Sequence, residues 1–183
     1  MKTTTKFFAI AAIAVAILFG NKAQAQSYTP ASKWRLGIGV EGGLTSGTLN
    51  TYSNALLGGT VRLQYGLSNH VALMLTTGYY SAFGITIPYT DEAYKYRSQG
   101  FVPAKVGAKL YVGKRVYLSG ETGAAFEMQE NYQNQVKQTK LVLSGGLGYS
   151  LKNVDFGLRY ESLSGDNNIY GFTALRIAYG FGL

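Results

Sequence analysis

What most constrains this chain is where its charges fall along an alternating pattern. From Lys33 to Leu183 apolar and polar residues alternate with period two, as in β-strands whose successive side chains point to opposite faces. The stretch "VDFGLRYE" shows the pattern in small. Val154, Phe156, Leu158 and Tyr160 share one parity, and Asp155, Gly157, Arg159 and Glu161 share the other. Eight segments carry this alternation: about Lys33–Leu44, Ala55–Leu67, Val71–Phe83, Gln99–Val112, Arg115–Met128, Thr139–Leu151, Val154–Leu163 and Ile169–Leu183. No helical period of useful length follows residue 25.

The connections alternate too. Ser68-Asn69-His70, Gly113-Lys114 and Lys152-Asn153 are short enough for hairpin turns. Between them lie longer polar stretches, "TSGTLNTYSN", "GITIPYTDEAYKYRS", "QENYQNQVKQ" and "SGDNN". An even-stranded meander then gathers every short turn at one end and every long loop at the other. This asymmetry is characteristic of membrane barrels of the outer-membrane type.

Ten mid-strand charges fall on one parity: Arg35, Glu41, Arg62, Lys105, Lys109, Glu121, Asp155, Arg159, Glu161 and Arg176. A soluble lipocalin-like barrel would turn that face to water. Two features argue for the reverse. The charged parity also holds most strand glycines, Gly37, Gly39, Gly107, Gly123, Gly146 and Gly148 among them. Glycine weakens a strand and gains nothing in water, whereas inside a narrow eight-stranded barrel it leaves room for long side chains. The apolar parity, in turn, ends in aromatic residues: Trp34, Tyr65, Tyr149, Tyr179 and Phe181 toward the short turns, and Tyr79, Phe83, Phe126 and Tyr160 toward the long loops. Two such girdles flanking an aliphatic band match the two interfaces of a bilayer.

The N-terminus points to export. Lys2 and Lys6 precede an apolar run, Phe7 to Phe19, and the small-residue site Ala23-Gln24-Ala25. This is the layout of a secretory signal peptide cleaved after Ala25. The expected organisation is a signal peptide over 1–25, a short N-terminal segment over 26–32 and one barrel domain over 33–183. The chain has no Cys, which excludes disulfides, thiolate metal sites and a thiol nucleophile. The net charge of +8 includes Lys2, Lys6 and Lys22, and no basic run beyond Lys114-Arg115 suggests nucleic acid. Mean hydropathy is +0.01, and no segment after the leader approaches a membrane helix.

With these features the chain resembles the small OmpA/OmpX-type outer-membrane β-barrels, and the porin-like outer-membrane protein beta-barrel domain in particular. The resemblance covers almost all of residues 33–183 and rests on the leader with "AQAQ", eight amphipathic strands, loop asymmetry and the closing "IAYGFGL". The family usually ends on Phe, and here Leu183 follows Phe181-Gly182. The resemblance implies an all-β, eight-stranded, antiparallel up-and-down transmembrane barrel in the bacterial outer membrane, with both mature termini periplasmic. Its partners would be outer-membrane lipids and, during biogenesis, the outer-membrane assembly machinery.

Function has two open readings. The ten charges, six basic and four acidic, are near balance, as a salt-bridged core requires. The barrel would then be a non-enzymatic structural or adhesion protein that meets an extracellular ligand or surface partner through its long loops. The other reading is a narrow porin-like channel for ions or small solutes. The candidate loop surface is Tyr89, Asp91, Glu92, Tyr94, Lys95, Tyr96 and Arg97, which mixes aromatics with both charge signs. No catalytic, cofactor or metal site is expected. His70, the sole histidine, reads as a turn residue, and the glycine patterns "GIGVEGG" and "GGLGYS" open no helix. "SGDNN" lacks the spacing of a calcium loop.

Overall fold

Alternating β-formers over a dozen residues give long paired strands, and here eight of them close on themselves. The computed structural model describes residues 33–88, 93–128, 137–165 and 168–183. The expected leader and the segment 26–32 lie outside these residues. The strands are β1 (Trp34–Gly47), β2 (Ser53–Gly66), β3 (Val71–Gly84), β4 (Thr86–Pro88), β5 (Ala93–Lys95), β6 (Gln99–Tyr111), β7 (Val116–Glu127), β8 (Thr139–Ser150), β9 (Val154–Gly165) and β10 (Asn168–Gly182). All except β4 and β5 form one antiparallel barrel in meander order, closed where β1 pairs with β10. The closing register sets Glu41 opposite Arg176 and Gly37 opposite Gly180.

Three details differ from the sequence reading. The β1 strand runs on to Gly47, whose φ of 65° suits only a residue without a Cβ, and a 3-10 turn over Thr48–Thr51 follows. Part of the first expected loop is therefore strand. The second, "GITIPYTDEAYKYRS", is not merely a loop, because β4 and β5 pair within it as a separate small hairpin, Thr86 opposite Lys95 and Pro88 opposite Ala93. The turns at the other end are also wider than expected, spanning residues 67–70, 112–115 and 151–153. Each is closed by backbone bonds such as Leu67 N–H to the Val71 carbonyl at 2.9 Å and Leu151 N–H to the Val154 carbonyl at 2.7 Å. The barrel strands are 12 to 15 residues long. A tilted strand needs about 9–11 residues to cross a bilayer, so the barrel stands clear of it on at least one side.

Parity sets which neighbour points where, and adjacent residues differ accordingly. Leu158 is 42% exposed and Arg159 6%; Val40 is 63% exposed and Glu41 1%. The exterior is a continuous aliphatic surface bordered by exposed Trp34, Tyr149, Tyr179 and Phe181 near the turns and Tyr79, Phe83, Phe126 and Tyr160 near the loops. Hydrocarbon solvates such a surface and water does not. Leu158→Arg should therefore cost roughly 2–4 kcal/mol of folding free energy in bilayers. Leu158→Val, one methylene smaller, should cost under about 1 kcal/mol. Urea titration of both variants in phospholipid vesicles checks the difference, and equal stabilities would mean that the barrel has been read inside out.

Candidate functional site: the barrel interior

Inward-facing side chains of an eight-stranded barrel meet across a space just wide enough for them. All ten residues singled out in the sequence lie there and all are buried, Lys105, Lys109 and Glu161 with essentially no accessible surface. Charges taken from water cost several kcal/mol each unless paired and hydrogen-bonded, so the partners decide whether the arrangement holds.

Arg159 is the centre. Its Nη2 stands 2.5 Å from Glu41 Oε2 and donates to the Tyr80 hydroxyl at 2.7 Å, while Nη1 pairs with Glu161. Glu161 also takes Lys105 Nζ at 2.6 Å. On either side stands an arginine–threonine–glutamate relay. Arg62 Nε donates to Thr76 Oγ1 at 3.0 Å, Thr76 donates to Glu121 Oε1 at 2.5 Å, and Arg62 Nη2 closes the triangle on Glu121 Oε2 at 3.0 Å. Arg176 Nε donates to Thr60 Oγ1 at 3.1 Å, Thr60 donates to Glu41 Oε1 at 3.0 Å, and Arg176 Nε lies 3.3 Å from the same carboxylate.

Toward the turns a second centre forms on Asp155. It accepts from Lys109 Nζ at 2.6 Å, the Tyr117 hydroxyl at 2.7 Å and Ser150 Oγ at 2.7 Å, with Arg176 Nη1 at 3.5 Å. Lys109 Nζ also sits 3.9 Å above the Tyr117 ring. Arg35 is the outlying member, at the turn-side mouth, where Nη2 donates to the Lys152 carbonyl at 3.2 Å.

Three features of the interior do not follow from the alternation of mid-strand charges. Glu127 and Lys140 form a further buried pair near the loop end, 3.7 Å apart, with Lys140 Nζ donating to Gln138 at 3.2 Å and lying 4.3 Å over the Tyr170 ring. Their parity matches the other interior charges, but both sit near strand ends and were not counted with the mid-strand set. Tyr80 and Tyr117, which supply hydroxyls to the two centres, were also missed. Nor is the loop-side half of the lumen purely polar: Leu56, Tyr80, Phe101, Val142, Leu163, Tyr170 and Phe172 form a buried apolar cluster there, Tyr80 edge-on to Phe172 at 5.7 Å and Phe101 to Tyr170 at 6.1 Å. Inward parity is thus not uniformly hydrophilic.

The interior glycines lie under the largest of these groups. A Cβ on Gly58 would run into the Tyr80 ring, one on Gly148 into Tyr117, and one on Gly180 into the Arg35 guanidinium. At Gly145, which faces outward, there is nothing within 4 Å.

Of the candidate loop residues, Tyr89, Asp91 and Glu92 lie outside the described residues. Tyr94 and Lys95 belong to β5. Tyr96 packs edge-on against Tyr52 at 5.2 Å, and Arg97 is exposed. His70 is an exposed residue of the first short turn, where its N–H donates to Ser68 Oγ at 3.2 Å and its carbonyl accepts from Tyr111 N–H at 2.8 Å. Among the described residues no group of three His, Cys, Asp or Glu is placed to hold a metal ion.

Removing one member of the central network strands its partners. Arg159→Met should cost about 3–5 kcal/mol in a urea titration. In the double variant with Glu161→Gln the cost should fall short of the sum of the single costs by at least about 1 kcal/mol. Additive costs would mean that the two side chains act independently. Likewise Gly148→Ala should cost about 1–3 kcal/mol by displacing Tyr117 from Asp155, while Gly145→Ala should stay within about 0.5 kcal/mol of the parent. The same titration reads both.

No family model matches the sequence, and no curated protein does. Solved structures do match. The crystal structure of Ail, the attachment invasion locus protein of Yersinia pestis, is 15% identical, covers 82% of this chain and 99% of its own, and superposes with a TM-score of 0.57. The backbone structure of Ail in a phospholipid bilayer nanodisc gives 16% identity, the same coverage and the same TM-score. The N-terminal β-barrel domain of Pseudomonas aeruginosa OprF gives 16% identity, 80% and 97% coverage and a TM-score of 0.55. At these identities the shared property is the fold, and this chain therefore has the fold of the small eight-stranded outer-membrane β-barrels.

Proposed function

We propose that residues 1–25 are a cleaved leader and that the mature chain is a non-enzymatic integral outer-membrane protein, a rigid barrel that presents its long connections outside the cell and keeps its termini in the periplasm. Its role is structural or adhesive, exercised through the loop end rather than through the lumen. The observation that carries this reading is the filled interior. Five carboxylates and seven cations occupy it, and each carboxylate has a cation within 4 Å. Toward the loops an apolar cluster packs beside the Glu127–Lys140 pair and fills the lumen there. An ion entering this lumen would have to break buried pairs and then pass aromatic side chains.

The loop end supports the adhesive part. Strands longer than a bilayer needs lift the β4–β5 hairpin above the lipid, and Tyr52, Tyr96 and Arg97 beside it are residue types that anchor protein contacts. Ail, which shares the fold, has been crystallised in complex with the heparin analogue sucrose octasulfate. This supports reading the present fold as a carrier for a surface ligand site, built here around Tyr89, Asp91, Glu92, Tyr94, Lys95, Tyr96 and Arg97.

Protein recovered from outer membranes should begin at Gln26 and migrate differently on a denaturing gel before and after boiling. In planar bilayers the folded protein should show no steady current. Salt-dependent unitary openings from pure folded protein would replace the filled-lumen reading with a narrow channel.

A further inference from the structure

The turn end of the barrel gathers exposed basic side chains, while the acidic side chains of the described residues are buried inside. Lys33, Lys114, Arg115 and Lys152 are all exposed there. The nine acidic residues of the chain are elsewhere: Glu41, Glu121, Glu127, Asp155 and Glu161 are buried inside, and Asp91, Glu92, Glu130 and Asp166 fall in the long connections of the sequence. Asp155 is the acid nearest the turns, and it is already taken by Lys109, Tyr117, Ser150 and Arg176. Among the described residues, Lys33, Lys114 and Lys152 have no carboxylate partner.

These side chains form an arc rather than a scatter. The turns that bear Arg115 and Lys152 are neighbours, joined by the Ser150 N–H to Arg115 carbonyl bond at 2.7 Å. The arc is also fixed to the aromatic girdle. Arg115 Nη1 donates to the Tyr149 hydroxyl at 3.1 Å. Asn153, next to Lys152, donates to the Tyr179 hydroxyl at 3.1 Å. Lys33 directly precedes Trp34, whose ring lies 4.7 Å from that of Tyr65. Girdle aromatics settle at the level of lipid headgroups. Basic groups attached to them or one residue beyond are held at the depth of the phosphates.

From this we infer that the turn-side rim is a binding surface for anionic phospholipid headgroups, and that it selects them over zwitterionic lipids in the leaflet it faces. This rests on the membrane reading above. Charge complementarity supplies the preference. Each basic group near an anionic lipid surface adds favourable energy that falls off within a Debye length, so the effect must weaken in salt.

Trp34 is the only tryptophan in the chain and stands on this rim, so it serves as the reporter. The mature protein would be folded into phosphatidylcholine vesicles that contain a minor fraction of either dibrominated phosphatidylglycerol or dibrominated phosphatidylcholine. At low salt the brominated phosphatidylglycerol should quench Trp34 at least about twofold more strongly. High salt should remove the difference, and so should the combined variant Lys33→Gln, Lys114→Gln, Arg115→Gln and Lys152→Gln, none of which belongs to the interior network. Heat-dependent gel migration verifies that the variant is folded. Equal quenching by the two lipids in the parent protein overturns the proposal, as does a preference that survives in the folded variant. Equal quenching together with co-sedimentation of the protein with purified peptidoglycan would assign the rim to the cell wall instead. If neither lipid quenches Trp34 and boiling leaves the gel mobility unchanged, the membrane reading itself fails and the rim proposal fails with it.

Discussion

The rest of the structure depends on the pairing of Arg159 with Glu41 and Glu161. The outside of the barrel is aliphatic with aromatic borders, so much of the apolar surface that would form a shielded core is turned outward. Inside, polar contacts across the lumen supply much of what ties non-neighbouring strands together. Glu161 lies on the strand that carries Arg159, while Glu41 lies on β1, which meets β9 only through the lumen. With Tyr80 of β3 on the same guanidinium, one side chain ties three of the eight barrel strands together. Lys105 and Lys109 of β6 then bind Glu161 and Asp155 of β9, and Arg62 of β2 binds Glu121 of β7. Most of these links cross the lumen between strands that are not neighbours in the sheet. Ladder hydrogen bonds fix neighbouring strands; the ion pairs fix the cross-section.

Cross-lumen contacts have a steric condition, which the glycines meet. A tyrosine or arginine that reaches toward the far wall must lie against some part of it. Tyr80 lies over Gly58, Tyr117 over Gly148 and Arg35 over Gly180, at distances that exclude a Cβ. Charge and glycine therefore share a parity for one reason: the long side chains on some strands require bare backbone on others. The two threonines, Thr60 and Thr76, meet a related need by passing a hydrogen bond from an arginine to a glutamate where a direct contact alone would leave donors unused.

The sequence is read most easily where one side chain decides its own position. Parity alone assigns Asp155, Arg159 and Glu161 to the interior and Phe156 and Leu158 to the exterior, because a one-residue slip would reverse all of them together. Pairing is harder, since it depends on the stagger between strands, which no single segment specifies. The contact between Glu41 and Arg159 joins residues more than a hundred positions apart and follows only from the closed register. Glu127 and Lys140 were overlooked for a different reason. They lie at strand ends, Glu127 last in β7 and Lys140 second in β8, outside the mid-strand stretches where the alternation is clearest. The apolar cluster of Phe101, Tyr170 and Phe172 was hidden by the assumption that an inward face is a polar one. That holds around Asp155 and Arg159, whereas toward the loops the same inward face closes over an aromatic core.

The interior thus has two regimes, and their order along the axis matters. Beneath the turn-side mouth, where Arg35 lies, come Asp155 with Tyr117 and Lys109, then the network around Arg159, and toward the loops the aromatic cluster. Paired charges attract most strongly in a low-dielectric surrounding, which persists only while water is kept out. The aromatic layer supplies that exclusion on the side where the connections are long. Without it, the carboxylates of Glu41 and Glu161 would exchange protein donors for water, and the cross-lumen ties would weaken where the wall is least supported. The aromatic cap and the salt-bridged middle are therefore parts of one arrangement: the cap keeps the middle dry, and the middle holds the strands whose upper ends form the cap.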